Sequence, residues 1–310
     1  AISGSGTATV AAMGSILIPA MVKQGYDKGF SSALSAISGS LGTVIPPSIT
    51  FIIYGMITGQ SISDLFLSGI VPGIIFASIL CLTVFIYSKK YGWKGDKPKA
   101  TKKEIMKIFW GTLPGFLSPV IVLGGIYSGF FTPTEAAAVA VIYSFIVGKF
   151  VYKELTFGAL RETLFSTAKT TGIILLIIMN AGIFSWILTQ QGIATQLTEM
   201  AIGFTTNKYV MLLIINVVFL LAGCVMDNTS ALYIIVPIIL PIAKALDINL
   251  VHLGVILVLN PPVGPNLYVA ADIGKVKFEV ICRKMVPLLI MSLVALLIIT
   301  FVPWLTTCLI

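Results

Sequence analysis

The chain has 310 residues, 57% of them hydrophobic and only 10% charged, and its mean hydropathy is +1.02. A soluble domain carries roughly 25% charged residues, so this chain has too little charge for a water-exposed surface, and its apolar blocks lack the dyad alternation of a β-barrel. The net charge of +8 sits in short loops beside apolar runs, which is a topology signal of membrane proteins and not a nucleic-acid footprint.

These properties predict an all-α polytopic membrane protein embedded in a lipid bilayer. Ala1 opens on a polar turn with no span before it, which reads as a chain shortened at its N-terminus. Thr7–Val22 is apolar and ends at the polar loop Lys23–Gly29. Phe30–Gly59 is apolar but broken over Gly39–Ser48 by glycines, hydroxyls and Pro46-Pro47, because proline lacks the backbone donor and disfavours helix in the residue before it. Leu65–Ser88 is a full span. Lys89–Lys107 is the most basic loop, followed by a mildly amphipathic Glu104–Phe116 and a span over Leu117–Phe130.

Thr132 and Pro133 predict an N-cap and first helical position for Ala136–Val151, with Glu135 favouring the same helix start. Lys153–Lys169 is amphipathic, Thr170–Leu188 is apolar, and Thr189–Lys208 is polar. Tyr209–Ala222 and Asn228–Ala243 form a hairpin around Gly223–Asp227. Asp247–Val280 is broken at Asn260–Asn266, and Val286–Leu305 is the last span. The four cysteines read as small buried hydrophobes, and a single histidine, His252, removes His-based metal sites.

One pattern occurs twice. Ser3–Thr7 precedes an apolar run to Pro19 and the break at Gly42 and Pro46-Pro47. Gly223–Thr229 precedes an apolar run to Pro241 and the break at Pro261-Pro262-Val263-Gly264. Ser5 lies 14 positions before Pro19, as Asp227 does before Pro241. Positive-inside counting places residues 23–29, 89–107, 153–169 and 275–284 in the cytoplasm. The first hairpin then opens inward and the second outward: an inverted-topology repeat with two re-entrant hairpins and two broken helices, the signature of a midplane binding site. Residues 1–88 read as the first transport half, 89–188 as scaffold helices and 189–310 as the second transport half. Pro19 to Pro46 is 27 positions but Pro241 to Pro261 only 20. The shortfall of seven, about two helical turns, is read as residues absent between about Gly254 and Pro261.

At Ser3–Met21, Gly25–Gly29, Gly39–Ser48, Phe131–Ala138 and Pro261–Ala270 the chain resembles the large membrane subunit (DctM family) of tripartite ATP-independent periplasmic, or TRAP, transporters, with the sialic-acid branch nearest. The family's first helices are missing here. The resemblance implies a sodium-coupled importer of organic acids, sialic acid or C4-dicarboxylates, in the bacterial inner membrane. It implies an elevator fold of the ion transporter superfamily type, a small membrane (Q) subunit and a periplasmic substrate-binding (P) subunit as partners, and Na+ as the coupling ion.

Sodium is a hard cation that takes oxygen ligands, and unwound backbone beside hydroxyls supplies them inside a membrane. Site 1 is assigned to Ser3, Ser5, Gly42, Ile45 and Pro47, the last two through their carbonyls; a turn packed on a kink is the plainer alternative. Site 2 is assigned to Gly223, Asp227, Thr229, Pro262 and Gly264. Asp227 is the only carboxylate in a hairpin tip, and an intramembrane charge faces a partner or a pathway as a rule; capping the returning helix would also account for it. Thr7, Thr43, Ser48, Asn228 and Asn266 lie at helix starts suited to an anionic substrate.

An ion channel, or a sodium/carboxylate symporter that needs no binding protein, is the rival reading. Two inverted hairpins meeting halfway favour alternating access over a pore. An enzyme would need a nucleophile with its base or a metal cluster, and the predicted core offers neither.

Overall fold

A computed structural model describes residues 3–93, 101–261 and 264–310, all helices and short connections with no strand among them. Lys94, Asp96, Lys97 and Lys99 of the basic loop lie outside the described residues, as do Pro262 and Val263 of the second break. Eight described helices are long and apolar enough to cross a membrane, and a bent pair makes a ninth. The chain divides into two compact units, one built from residues 3–96 and 183–310, the other from 97–182.

The first unit begins at the turn Ser3–Ser5. Helix α1 (Gly6–Lys23) leaves it, with the Ser5 side chain accepting from Ala8 N. Asp27 starts α2 (Lys28–Ser38) by accepting from Phe30 N at 2.8 Å. A short α3 (Leu41–Val44) follows, and Pro46-Pro47 then ends the helical path. Ser48 restarts it as the cap of α4 (Ile49–Thr58), bent by 48° from the preceding segment. Ser61 caps α5 (Ile62–Tyr91), which runs the full depth of the unit. Small residues let these helices close up, as they do in bilayers generally: a Cβ at Gly73 of α5 would lie 2.6 Å from the Ile45 side chain.

The second unit holds α6 (Lys102–Tyr127), α7 (Pro133–Ile146, continued by a wider turn at Val147–Val151) and most of α8 (Phe157–Gln190). Thr132 and Glu135 form the expected capping box. Two segment boundaries predicted from sequence do not exist. Glu104–Phe116 and Leu117–Phe130 are one helix, although Pro114 and Pro119 lie inside it. The Tyr152 hydroxyl explains part of this: it accepts from Gly115 N and donates to Gly111 O, both at 3.2 Å, bridging a rung that proline disturbs. Tyr143 likewise donates to Pro114 O at 2.8 Å. Such side-chain rescue is how membrane helices tolerate proline. Lys153–Lys169 and Thr170–Leu188 also merge, into α8, where threonines 163 and 170 return their hydroxyls to carbonyls four residues back.

The polar stretch 189–208 contains a helix of its own, α9 (Ile193–Phe204). In the first unit α10 (Lys208–Val225) and α11 (Asn228–Ala245) meet at Met226–Asp227. They are followed by α12 (Leu250–Val258), the break, α13 (Gly264–Gly274), α14 (Phe278–Phe301) and α15 (Trp304–Thr307). The seven-residue shortfall falls in the first half of the second broken helix: Lys28–Val44 precedes the first Pro-Pro pair, but only Leu250–Val258 precedes the second. Asn249 caps α12 through Val251 N and His252 N.

Contacts define two ends of this unit. At one, Lys284 Nζ lies 3.4 Å from Asp27 Oδ1 and the Tyr26 and Trp93 rings are 4.9 Å apart. Three of the basic segments therefore share that end. At the other, Tyr54 donates to Leu250 O at 2.6 Å and His252 Nδ1 pairs with Thr306 Oγ1 at 2.9 Å. Helix α1 joins the Ser3–Ser5 turn to the lysine-rich end, while α10 and α11 join the Met226–Asp227 turn to the opposite one. Tyr54, Phe51, Phe66, Leu253 and Ile256 fill the buried core between them.

Candidate functional site

The first turn is seated directly on the first break. Gly4 has φ +64°, a left-handed conformation that favours glycine, and its carbonyl accepts from Ile49 N at 3.2 Å. A Cβ on Gly4 would lie 3.1 Å from Pro47 O, and one on Gly42 would lie 3.1 Å from Ser5 O and collide with Thr9 Oγ1. The structure thus brings together Ser3, Ser5, Gly42 and Pro47. Ile45 sends its side chain to Gly73, leaving only its main chain to serve the site.

The oxygens at this point form one knot. Ser3 Oγ and Thr9 Oγ1 are 2.8 Å apart, and Thr9 Oγ1 donates to Ser5 O at 2.8 Å. Ser3 Oγ donates to Ser5 O at 3.1 Å, and Ser5 Oγ lies 3.2 Å from Thr7 Oγ1. Every candidate donor is a hydroxyl or carbonyl oxygen, the set a hard cation takes. Thr9 is the residue that sequence reasoning missed; its position one helical turn beyond the Ser5 cap was the available signal. Thr43 and Ser48 use their hydroxyls within the break: Thr43 donates to Ser40 O at 2.7 Å, and Ser48 donates to Thr43 O while accepting from Phe51 N.

The second turn meets the second break in the same manner. A Cβ on Gly264 would lie 3.0 Å from Cys224 O and 3.4 Å from Gly223 O. Asp227 caps α11, accepting from Thr229 N at 3.0 Å, Ser230 N at 3.3 Å and Ser230 Oγ at 2.6 Å. A carboxylate has about four lone-pair sites, so capping leaves it some capacity. Pro262, assigned to this site, lies outside the described residues.

Three asparagines around the second break carry amide atoms that have no partner among the described residues. Asn228 donates to Val258 O at 3.1 Å, but its Oδ1 is unpaired. Asn266 donates to Ala36 O at 3.2 Å, and its Oδ1 is unpaired. Asn260 has neither Oδ1 nor Nδ2 paired, and its side chain is buried. Each unpaired buried polar group costs about 1–3 kcal/mol, so a polar partner for any of these amides would be favoured. Asn260 was not singled out from sequence, although asparagine directly before Pro-Pro in an apolar run marks it. Among the described residues no three of His, Cys, Asp and Glu converge.

The sequence pattern of the family described as "Tripartite ATP-independent periplasmic transporter, DctM component" matches residues 1–305. The isethionate TRAP transporter permease protein DctMQ of Oleidesulfovibrio alaskensis is 43% identical over 98% of this chain and 49% of its own length, so the chain spans about half of that relative. The C4-dicarboxylate TRAP transporter large permease protein DctM of Rhodobacter capsulatus is 38% identical, over 98% of this chain and 73% of its own. The sialic acid TRAP transporter large permease protein SiaM of Vibrio cholerae is 34% identical, over 98% and 73%.

Proposed function

The chain belongs to the DctM component family of tripartite ATP-independent periplasmic transporters, and on that premise we propose that it forms the translocation path for an organic anion entering across the bacterial inner membrane. A periplasmic binding protein delivers the substrate and a small membrane subunit completes the permease. The relatives are permeases for isethionate, C4-dicarboxylates and sialic acid by name; their common chemistry is an acid group. Sialic acid and C4-dicarboxylates are the substrates of first choice, and the reaction is transport without covalent chemistry.

The observation that carries this reading is the seating of each turn on a break, Gly4 against Pro47 and Gly264 against Gly223 and Cys224. Helices α1, α4, α11 and α13 all start there. Their N-termini carry partial positive charge that favours an anion; the unpaired Nδ2 of Asn260 can donate to a carboxylate, and the unpaired Oδ1 atoms of Asn228 and Asn266 can accept from substrate hydroxyls. The opposite attachment of the two turns supports an inverted repeat.

Sodium drives the import. Its first site uses Ser3, Ser5, Gly42, Ile45 and Pro47, joined by Thr9; its second uses Gly223, Asp227, Thr229 and Gly264, with Pro262 in the same motif. Cation binding offsets substrate charge and holds each turn against its break. The transport halves, residues 1–88 and 189–310, then carry the cargo in an elevator movement against a scaffold from residues 89–188. The test is uptake by the full permease with its small subunit and binding protein in proteoliposomes, across isethionate, C4-dicarboxylates and sialic acid. One of these anions accumulates only under an inward sodium gradient. Accumulation that ignores the gradient rejects the coupling, and sodium flux without a fixed ratio to substrate identifies a channel.

A further inference from the structure

At the lysine-rich end of the first unit, away from both turns, a cavity of about 390 Å³ opens between α2, α5 and α14. One wall is aromatic: Phe30 stacks on Tyr87 with centroids 5.5 Å apart, and Tyr91 stacks on Trp93 at 5.1 Å. The other wall carries Arg283 and Lys284. Lys284 is paired with Asp27 at 3.4 Å, whereas Arg283 has no carboxylate partner among the described residues. The cavity therefore keeps a guanidinium available to an anion.

A second cavity, about 240 Å³, continues from the first, for Tyr87 and Pro287 line both. Its remaining walls are Thr83, Ile86, Ile290 and Met291, almost wholly apolar. Ile86 and Ile290 are half exposed. From Tyr91 to Thr83 on α5, and from Arg283 to Met291 on α14, the path descends eight residues, about 12 Å along each helix. A cationic, aromatic mouth thus leads into an apolar groove that runs along the outer faces of α5 and α14 away from the lysine-rich end.

We propose that this paired cavity binds an anionic phospholipid of the adjoining leaflet. The phosphate sits against Arg283, with Lys284 beside it, and an acyl chain lies along Ile86 and Ile290. Arginine suits phosphate through its planar fork, aromatic residues favour the headgroup level, and basic residues at that level attract anionic lipid. A free phosphate would use the mouth but not the groove. The lipid would bridge α5 to α14, tying the span that follows the first broken helix to the span that follows the second.

The test uses the full permease in vesicles of phosphatidylethanolamine with a minor fraction of phosphatidylglycerol bearing a diazirine in its acyl chain. Photolabel on peptides covering 83–93 and 283–291 is normalised to label on α8, whose apolar side chains are exposed. The proposal expects both peptides to be labelled, and Arg283→Gln with Lys284→Gln to lower that labelling roughly tenfold. Arg283→Lys keeps the charge but loses the fork, so its labelling falls between the parent and the double variant, while the absolute label on α8 stays at the parent level in all three, which separates lost binding from lost folding. Three results overturn the proposal. One is equal labelling by a phosphatidylcholine probe. Another is competition by inorganic phosphate at constant ionic strength. The third is unlabelled peptides in the parent, as when a protein partner covers the groove.

Discussion

Asn266, two residues into α13, donates its Nδ2 to the carbonyl of Ala36 near the end of α2, 3.2 Å away and 230 positions earlier in the chain. Its Oδ1 is unpaired among the described residues and would lie 3.2 Å from a Cβ on Gly6, the first residue of α1. One side chain of the second break therefore reaches both the first turn and the first broken helix. In the proposed mechanism this contact would link the first turn to the second break.

Replacing Asn266 by alanine leaves the Ala36 carbonyl without its partner, at about 1–3 kcal/mol. We expect a lower melting temperature and a rise of at least about tenfold in substrate KM, since a contact that bridges both halves is lost with the free acceptor. Uptake kinetics and thermal unfolding of the purified variant measure the two effects. A normal KM removes Asn266 from the substrate site.

The close approach at Gly42 yields a steric prediction. Alanine there collides with Thr9 Oγ1 and crowds Ser5 O, so the first turn must lift off the break. Gly42→Ala should abolish sodium-driven uptake at normal protein level. Gly111→Ala meets nothing within 4 Å and should transport like the parent. Side-by-side uptake of the two variants decides whether the contact or the glycine count matters.

Asp227 has a capping role that must be separated from a cation role. Asparagine can also cap, so Asp227→Asn keeps α11 while removing the charge; sodium should then support half-maximal uptake only at a concentration about tenfold higher, or about 1.4 kcal/mol of lost interaction. Asp227→Ala loses the cap as well, roughly 1 kcal/mol more, and abolishes uptake. A sodium titration of Asp227→Asn that overlays the parent confines Asp227 to capping.

A buried network at the opposite end gives a contrast. Asn216 Nδ2 donates to Thr300 Oγ1 at 3.0 Å, and Thr300 O meets His252 Nε2 at 3.3 Å. Thr300→Val strands the Asn216 amide and should lower stability by about 1–3 kcal/mol, leaving the sodium dependence of uptake intact. Thermal unfolding and a sodium titration report these separately.

The helices, the two breaks and the Thr132–Glu135 cap were legible because each rests on local chemistry: long apolar runs, paired prolines, a hydroxyl before an acidic residue. The merged helix α6 was not, because the proline at 114 is accommodated by Tyr152, 38 positions away. At the site, the Ser3–Ser5 turn and the Gly42 break could be named from sequence. That Thr9 ties Ser3 to Ser5 depends on how the first turn folds back, and that Asn260 is buried with no partner among the described residues depends on how the second break packs. The pairing of Asn216 with Thr300, 84 positions apart, is likewise visible only in three dimensions.

The most direct measurement is the ratio of sodium to substrate taken up in a single turnover by the full permease, with its small subunit and binding protein, in liposomes. Cation and anion sites built on interlocked turns predict a fixed whole-number ratio, lost in Gly42→Ala. Substrate entry with no accompanying sodium, or a ratio that drifts with the sodium gradient, would contradict the account.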